Sequence, residues 1–198
     1  MALRLARPQD GGQLLEIYRQ YISTNITFEY QLPLLPEFER RIAHILEDGY
    51  PYLVWEEGGT VLGYAYAHRV WERAAYQWTA ELSVYLHPRS RGQGLGRRLY
   101  LALMELLRLQ GIRTVYGVVT QDNQASIDFH QALGFHRTAV FSRAGYKNGQ
   151  WLDVHWFERE LAPSADAPAP ILPLERLPRA RVEEILASFS HAPGTEKG

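Results

Sequence analysis

Apolar residues follow two kinds of pattern along the first 161 positions. Short runs rich in apolar and β-branched residues predict strands at 3–7, 52–57, 61–68, 79–86, 114–120, 135–141 and 151–160. Apolar residues spaced three or four apart predict helices at 8–22, 37–47, 95–110 and 122–133. Strands and helices alternate in the middle of this order, after a hairpin whose turn is Gly58-Gly59. The pattern predicts an α/β fold, a mixed central β-sheet flanked by α-helices on both faces.

The last 37 residues follow a different pattern. Residues 162–173 are rich in proline, which predicts an extended linker outside the core. Beyond it, apolar residues at 182, 185, 186 and 189 form a short amphipathic stripe that needs an apolar surface, and a partner subunit is one candidate for it. The tail from His191 is expected to fray. The chain is therefore divided into a domain over 1–161 and a proline-rich linker with a short tail over 162–198.

Composition narrows the class of protein further. With 198 residues, 46% of them hydrophobic and 22% charged, the chain can form one ordinary folded domain. The absence of cysteine excludes a disulfide scaffold, Cys-ligated zinc and a thiol nucleophile. A net charge of −1 gives no broad attraction to nucleic acid. No apolar run suits a membrane span, and neither a secretory signal nor a metal-ligand spacing is visible, so a cytoplasmic protein without metal or membrane contact is expected.

The most specific local motif is a glycine-rich loop between a predicted strand and a predicted helix. It reads RSRGQGLGRR over 89–98. Glycines let backbone amides turn toward a ligand, and a helix N-terminus adds partial positive charge, so the loop is a candidate anion site. A P-loop would need Gly-Lys-Ser/Thr where Arg97-Arg98 stands, and the third glycine comes one residue too early for a dinucleotide-binding fingerprint. A plain glycine-rich turn before a helix is the remaining alternative.

A different spacing, Arg91-x-x-Gly94-x-Gly96, resembles the Q/R-x-x-G-x-G/A motif of the GNAT superfamily of N-acetyltransferases. The late helix start Asn123-x-x-Ser126 and the junction Leu133-Gly134-Phe135 are also similar to that superfamily. The resemblance covers residues 3–161 and implies the GNAT fold. It further implies that the loop amides hold the pyrophosphate of coenzyme A, and that the preceding strand splays from its neighbour to expose an edge for pantetheine.

Longer stretches resemble one branch of the superfamily, the phosphinothricin and methionine sulfoximine N-acetyltransferases. They are AYQWTAE at 75–81, SVY at 83–85, HQALGF at 130–135, RAGYK at 143–147 and GQWLDV at 149–154. This closer resemblance implies transfer of an acetyl group from acetyl-CoA to the amino group of a small amino-acid-like acceptor. It also implies a homodimer.

The resemblance assigns catalytic roles to Glu81 and His130. Amine acylation requires that the ammonium lose a proton and that the leaving thiolate regain one. A carboxylate at position 81 would accept the first proton, directly or through water. An imidazole at position 130, which titrates near neutrality, would exchange protons with the acceptor or the thiolate. The ordinary alternatives are a solvent-facing strand glutamate and a packed helix histidine.

Cofactor-binding roles also come from the resemblance. Strand amides of Val84, Tyr85 and Leu86 would bind pantetheine and the acetyl carbonyl. Asn123 would bind a pantetheine amide, with Ser126 on the same helix, although Asn123 is also an ordinary helix-start residue. The loop residues expected to hold the pyrophosphate are Arg91, Gly92, Gln93, Gly94, Leu95, Gly96 and Arg97.

Acceptor binding is expected in the aromatic connection before the strand of Glu81. Arg73 suits an α-carboxylate because a guanidinium binds it through two hydrogen bonds. Tyr76 and Phe28 are similar to the aromatic walls of the family's acceptor pocket. Trp71-Glu72 departs from the family at a place where a second basic residue can occur, which favours methionine sulfoximine or sulfone over the doubly anionic phosphinothricin. Two alternatives stay open: a ribosomal-protein or peptide N-terminal acetyltransferase, and a non-catalytic CoA-binding domain.

Overall fold

The computed structural model describes residues 2–163 and 167–190. Within this part of the chain, seven strands form one sheet in the order β1-β2-β3-β4-β5-β7-β6. The strands are β1 (Ala2–Leu5), β2 (Tyr52–Glu57), β3 (Thr60–Arg69), β4 (Thr79–Leu86), β5 (Thr114–Thr120), β6 (His136–Lys147) and β7 (Gln150–Glu160). The helices are α1 (Gly11–Arg19), α2 (Leu35–Glu47), α3 (Leu95–Gln110), α4 (Gln124–Ala132) and α5 (Arg179–Ser190). None of the helices described is long and apolar enough to cross a lipid bilayer.

Two apolar cores lie on opposite faces of the sheet. On one face α3 buries Leu99, Leu103 and Leu106 completely against β2, β3 and β4. On the other face α1 and α2 bury Leu14 and Ile42 against a group of strand tyrosines. The predicted arrangement, a mixed sheet with helices on both faces, is confirmed.

The sheet opens between β4 and β5. These two strands run parallel, and their paired residues extend only from Thr79 opposite Thr114 to Glu81 opposite Tyr116. Beyond Glu81, β4 continues to Leu86 while still paired with β3 on its other side. Because residue pairing with β5 stops there, the second edge of β4 faces a gap. This gap is the splayed edge that the resemblance implies.

Most predicted boundaries agree with the structure to within two residues. Three of the differences concern the end of the first helix, the start of α4 and the end of β6. The first helix ends at Arg19 rather than residue 22. The N-cap of α4 is Asn123 rather than Asp122, because the Asn123 side chain accepts the Ser126 amide hydrogen. Strand β6 continues to Lys147 instead of ending at 141, because a bulge at positive-φ Arg143 is satisfied by the Asp153 carboxylate, which accepts from the Arg143 amide at 2.8 Å.

The C-terminal segment packs on the main core, which corrects the expectation that it lies outside it. Leu177 and Val182 belong to the same buried cluster as α3. Gln110 at the end of α3 accepts the Leu172 amide hydrogen through its backbone oxygen and donates from its side chain to the Leu172 carbonyl, each at 2.8 Å. At the far end of α5, the Ser190 hydroxyl accepts from the Leu3 amide at 3.0 Å. The amphipathic stripe is therefore covered within the chain and needs no partner subunit; the tail from His191 lies outside the described residues.

Candidate active site

The glycine-rich loop presents an open cradle at the start of α3. Gly92 and Gly94 have φ of 73° and 75°, and an ideal Cβ at either residue would meet no atom within 4 Å. Both positions need glycine for their backbone angle, and the space beside them is free. The first amides of α3, beginning at the buried Leu95 and Gly96, have no partner within the helix. The loop thus offers backbone N–H groups and positive helix-end charge, which suits a diphosphate.

The arginine side chains around the loop are positively charged and point in different directions. Arg97 is exposed at the start of α3. Arg91 instead reaches back to α1, where it donates to the Gln20 side chain and lies 5.5 Å from the Tyr21 ring. Gln93 donates to the Arg89 carbonyl at 2.7 Å, which fixes the turn rather than a ligand.

The gap-facing edge of β4 is partly occupied by other residues of the chain. The His87 amide donates to the Leu62 carbonyl in β3, so by alternation the backbone groups of 82, 84 and 86 face the gap. The Leu82 carbonyl accepts from Tyr100 at 3.0 Å. The Leu86 amide and carbonyl both pair with the Tyr21 hydroxyl, at 3.2 and 3.0 Å.

Val84 lies between these two occupied positions, so its backbone is the gap-facing group best placed to meet a cofactor. The backbone of Tyr85 points toward β3 by the same alternation, and its ring packs edge-on against Tyr18 and Tyr21. Of the three strand residues singled out from the sequence, Val84 is the one whose backbone faces the gap and is not bonded to the Tyr21 or Tyr100 hydroxyl; its contact with the cofactor stays a prediction.

Glu81 lies at the point where β4 and β5 separate. It pairs across the sheet with His68 of β3 and with Tyr116 of β5. Its side chain is 23% exposed, and its Oε1 lies 3.8 Å from His68 Nε2. Burial raises the pKa of Glu81, and a charge on His68 opposes that rise. A half-buried carboxylate with a raised pKa binds a proton more readily than an exposed one, which suits a general base.

His130 is enclosed rather than open to solvent. It is 3% exposed, and its ring stacks on Phe157 at 5.6 Å. Nδ1 lies 2.7 Å from the Ser126 carbonyl, which can only accept, so Nδ1 carries a hydrogen; Nε2 lies 3.1 Å from the Tyr100 hydroxyl. Burial lowers the pKa of His130, so its neutral form is favoured. An ideal Cβ on Gly117 would lie 2.1 Å from Nε2, so this seat for the imidazole requires glycine.

The remaining cofactor candidates lie at the start of α4. The Oδ1 of Asn123 accepts from the Ser126 amide at 3.3 Å, so the asparagine caps the helix. The Ser126 hydroxyl lies 3.4 Å from His130 Nδ1. The ordinary helix-start interpretation of Asn123 therefore holds, whereas its pantetheine contact stays a prediction.

The acceptor candidates lie in two different places. Tyr76 contacts Trp71 at a ring distance of 4.7 Å, and Trp71 stacks nearly parallel to Trp156 at 6.3 Å. Arg73 precedes the short turn that carries Tyr76, is exposed, and makes no ion pair with any residue that the structure describes. Phe28 lies elsewhere, over β6, where its ring contacts Gly145 so closely that a Cβ there would come within 2.4 Å.

Lys147 holds the loop that carries Phe28 in place, and this role was not predicted from the sequence. Lys147 is 2% exposed, and its ammonium donates to the carbonyls of Ile22 and Thr27 at 2.8 and 2.6 Å. Burial lowers the pKa of Lys147. The contacts fix the segment that leads to Phe28 against the β6–β7 hairpin. A lysine inside the RAGYK stretch is the visible signal, but its two partners lie about 120 positions away.

An open strand edge beside a glycine-rich anion cradle, with a half-buried carboxylate at the fork, is the arrangement expected for a transferase that uses an acyl-CoA. The acetyltransferase (GNAT) domain family matches residues 3–156. The chain belongs to this family and is an acetyl-CoA-dependent N-acetyltransferase. Among residues 2–163 and 167–190, no three His, Asp or Glu side chains are grouped so that they could hold a metal ion.

Its relatives narrow the family to one branch. The chain is 36% identical to a phosphinothricin N-acetyltransferase of Streptomyces viridochromogenes, over 88% of this chain and 95% of the relative. It is 38% identical to an L-methionine sulfoximine/L-methionine sulfone acetyltransferase of Pseudomonas aeruginosa, over 84% and 98%. The crystal structure of a phosphinothricin acetyltransferase from Sinorhizobium meliloti in complex with AcCoA superposes with a TM-score of 0.81 at 35% identity, covering 88% of this chain and 96% of the other.

Proposed function

We propose that the protein acetylates the α-amino group of a small free amino acid or amino-acid analogue, of the methionine sulfoximine, methionine sulfone or phosphinothricin type. The observation that carries this proposal is the position of Glu81, half-buried where β4 leaves β5, with a raised pKa. The names of the relatives support the acceptor class.

The proposed reaction uses four groups of the chain in turn. The cradle of Gly92, Gly94 and the first α3 amides holds the diphosphate of acetyl-CoA. Glu81 accepts a proton from the acceptor ammonium, directly or through water, which leaves an amine able to attack the thioester carbonyl. The Val84 amide donates to the oxygen on which negative charge develops. His130, with Tyr100 beside it, is proposed to give a proton to the leaving thiolate. Because the ring is enclosed, this role requires the histidine side chain to move.

Arg73 is proposed to bind the acceptor's α-carboxylate. Its guanidinium is exposed and is not engaged by a described acidic side chain. Trp71-Glu72 stands where a second basic residue can occur in the family, and Trp71 forms an aromatic wall with Trp156. A wall of this kind gives a second anionic group no partner, which supports sulfoximine and sulfone acceptors over phosphinothricin.

The acceptor class is tested by thiol release from acetyl-CoA with methionine sulfoximine, its carboxamide, phosphinothricin and a peptide N-terminus. The carboxamide should lose about ten- to a hundredfold in kcat/KM, because charged hydrogen bonds to Arg73 contribute about 1.5–3 kcal/mol. Arg73→Ala should no longer distinguish acid from carboxamide, whereas Arg19→Ala, on the exposed surface of α1, should distinguish them as the parent does. Equal rates for acid and carboxamide, or a peptide that outruns both, would favour the peptide alternative.

The diphosphate cradle is tested with Gly94→Asp. A carboxylate there brings negative charge and a Cβ into the free space, so the Kd for acetyl-CoA should rise at least about tenfold and thermal stabilisation by acetyl-CoA should shrink. Gly58→Asp is a matched control, since Gly58 also has positive φ and open space but lies in the β2–β3 turn. A folded Gly94→Asp protein that binds acetyl-CoA like Gly58→Asp would rule out the cradle.

A homodimer and a cytoplasmic location complete the proposal. Strand β6 is one of the two edges of the sheet in the described part of the chain. Large apolar side chains are exposed along the β6–β7 hairpin: Val140, Phe141, Tyr146 and Trp151. Such a surface supports self-association. The lack of cysteine is consistent with the cytoplasm.

A further inference from the structure

A second titratable side chain faces Glu81 from the neighbouring strand. His68 of β3 is directly opposite Glu81 in the antiparallel pair, and its Nε2 lies 3.8 Å from Glu81 Oε1. Its Nδ1 lies 2.9 Å from the Arg69 carbonyl. A carbonyl only accepts, so Nδ1 carries the hydrogen and, in the neutral ring, Nε2 presents its lone pair toward the carboxyl group.

His68 also borders a way out to solvent. Its side chain is 37% exposed and lines a cavity of about 390 Å³ between α2 and the end of β3. Tyr66 also lines this cavity. Glu81 is not among the residues that line it. His68 is thus the member of the pair that borders the cavity, and its side chain is more exposed than that of Glu81, which is 23% exposed.

The charged groups around this cavity are largely paired with one another. Arg69 lies 3.3 Å from both Asp48 and Glu72, and His44 lies 3.8 Å from Asp48. Arg41, across the cavity, pairs with Glu29 and Glu37 on its own side, each at 2.6 Å. The acidic group that faces His68 Nε2 from the adjoining strand is Glu81.

We propose that His68 relays the proton that Glu81 removes from the acceptor, passing it from the site to the cavity and solvent. This inference rests on the proposed function of Glu81 as the base. The 3.8 Å separation is too long for a hydrogen bond, so the transfer requires a side-chain rotation or one bridging water.

The relay balances over one turnover. The acceptor N–H bond breaks and a Glu81 O–H bond forms as the amine becomes able to attack. The Glu81 proton then moves to His68 Nε2, which makes the ring a cation and restores the carboxylate. The imidazolium loses one proton to solvent through the cavity and returns to its neutral form. No oxidant or metal takes part.

The first test compares His68→Gln with His136→Gln. His136 is a matched control because it also faces a glutamate across antiparallel strands, with its Nε2 3.9 Å from Glu158 Oε1. It differs in lying on the β6–β7 hairpin. His68→Gln should lower kcat by about tenfold or more. It should also move the acid limb of the kcat/KM profile to higher pH, since a charge on His68 lowers the pKa of Glu81. His136→Gln should do neither, and acetyl-CoA affinity should be unchanged in both.

The second test is chemical rescue. In His68→Ala the neighbouring cavity admits free imidazole, so added imidazole should restore kcat with saturation, and should leave His136→Ala unaffected. A folded His68→Gln protein with the kcat and pH profile of His136→Gln, or His68→Ala insensitive to imidazole, would overturn the relay. An unmodified protein that acetylates none of the acceptors would instead overturn the proposed function, so the two failures are distinguishable.

Discussion

Glu81→Gln should lower kcat by about 10²–10⁴-fold while the protein still binds acetyl-CoA. Glutamine keeps the size of the side chain at the β4–β5 fork but cannot accept a proton from the ammonium. The pH profile of the parent should show the same dependence. Because burial raises the pKa of Glu81, activity should fall on acidification at a higher pH than for an exposed glutamate. Initial rates with methionine sulfoximine across pH measure both effects.

Glu56→Gln is a suitable control for this substitution. Glu56 is also a strand glutamate with a basic neighbour, Arg4 at 2.7 Å, but it lies on β2, away from the fork. The Glu56→Gln protein should keep the kcat of the unmodified protein. If Glu81→Gln matches Glu56→Gln, the acceptor amine reaches the site already deprotonated and Glu81 is not the base.

Truncation after Pro163 should destabilise the whole domain severely. The removed segment contributes the buried Leu177 and Val182 to the α3 core, and burial of each such side chain is worth about 1.5–3 kcal/mol. Partly buried residues of the same segment cover α3 and its surroundings as well: Ile171, Leu174, Ile185, Leu186 and Phe189. The loss is comparable with a typical total stability of about 5–15 kcal/mol. Urea unfolding and the yield of soluble protein measure it.

A matched truncation after Ser190 keeps α5 and its hydrogen bond to Leu3, and should leave the unfolding midpoint close to that of the full chain. Leu177→Ala in the full chain offers a milder form of the same test, with an expected cost of about 2–5 kcal/mol. A chain ending at Pro163 with the stability of the full chain would show that the segment merely rests on the domain.

Local rules explain why so much of the fold could be predicted. The predicted bounds of α3 agree with the observed ones because two glycines with left-handed backbone angles, Gly94 and Gly111, lie at the ends of the helix. The predicted bounds of β2, β4 and β5 agree with the observed ones because the apolar runs there end at turn residues or charged residues. Strand β6 was predicted too short because its continuation is polar and bulged, and is held by Asp153 from the neighbouring strand.

The site was predictable only where its residues act through the backbone or through a recognisable stretch of sequence. The glycines of the loop and Glu81 could be named in advance. His68 could not, because its role depends on a register that places it opposite Glu81, 13 positions further on. Sequence also failed to show that Tyr21 occupies the Leu86 amide, since a helix residue and a strand edge meet only after folding. Long-range pairing of this kind leaves no local periodicity to detect.

The buried ammonium of Lys147 bears on self-modification. The sequence contains just two lysines, Lys147 and Lys197, and its other permanently charged basic side chains are arginines. Thioesters acylate unprotonated amines, and a lowered pKa makes an accessible lysine more reactive toward them. Lys147, however, is only 2% exposed, and its ammonium group donates hydrogen bonds to two carbonyls. The arginine guanidinium groups are effectively always protonated and so do not react in this way. The one lysine among the residues that the structure describes is therefore out of reach of the acetyl-CoA that the protein binds.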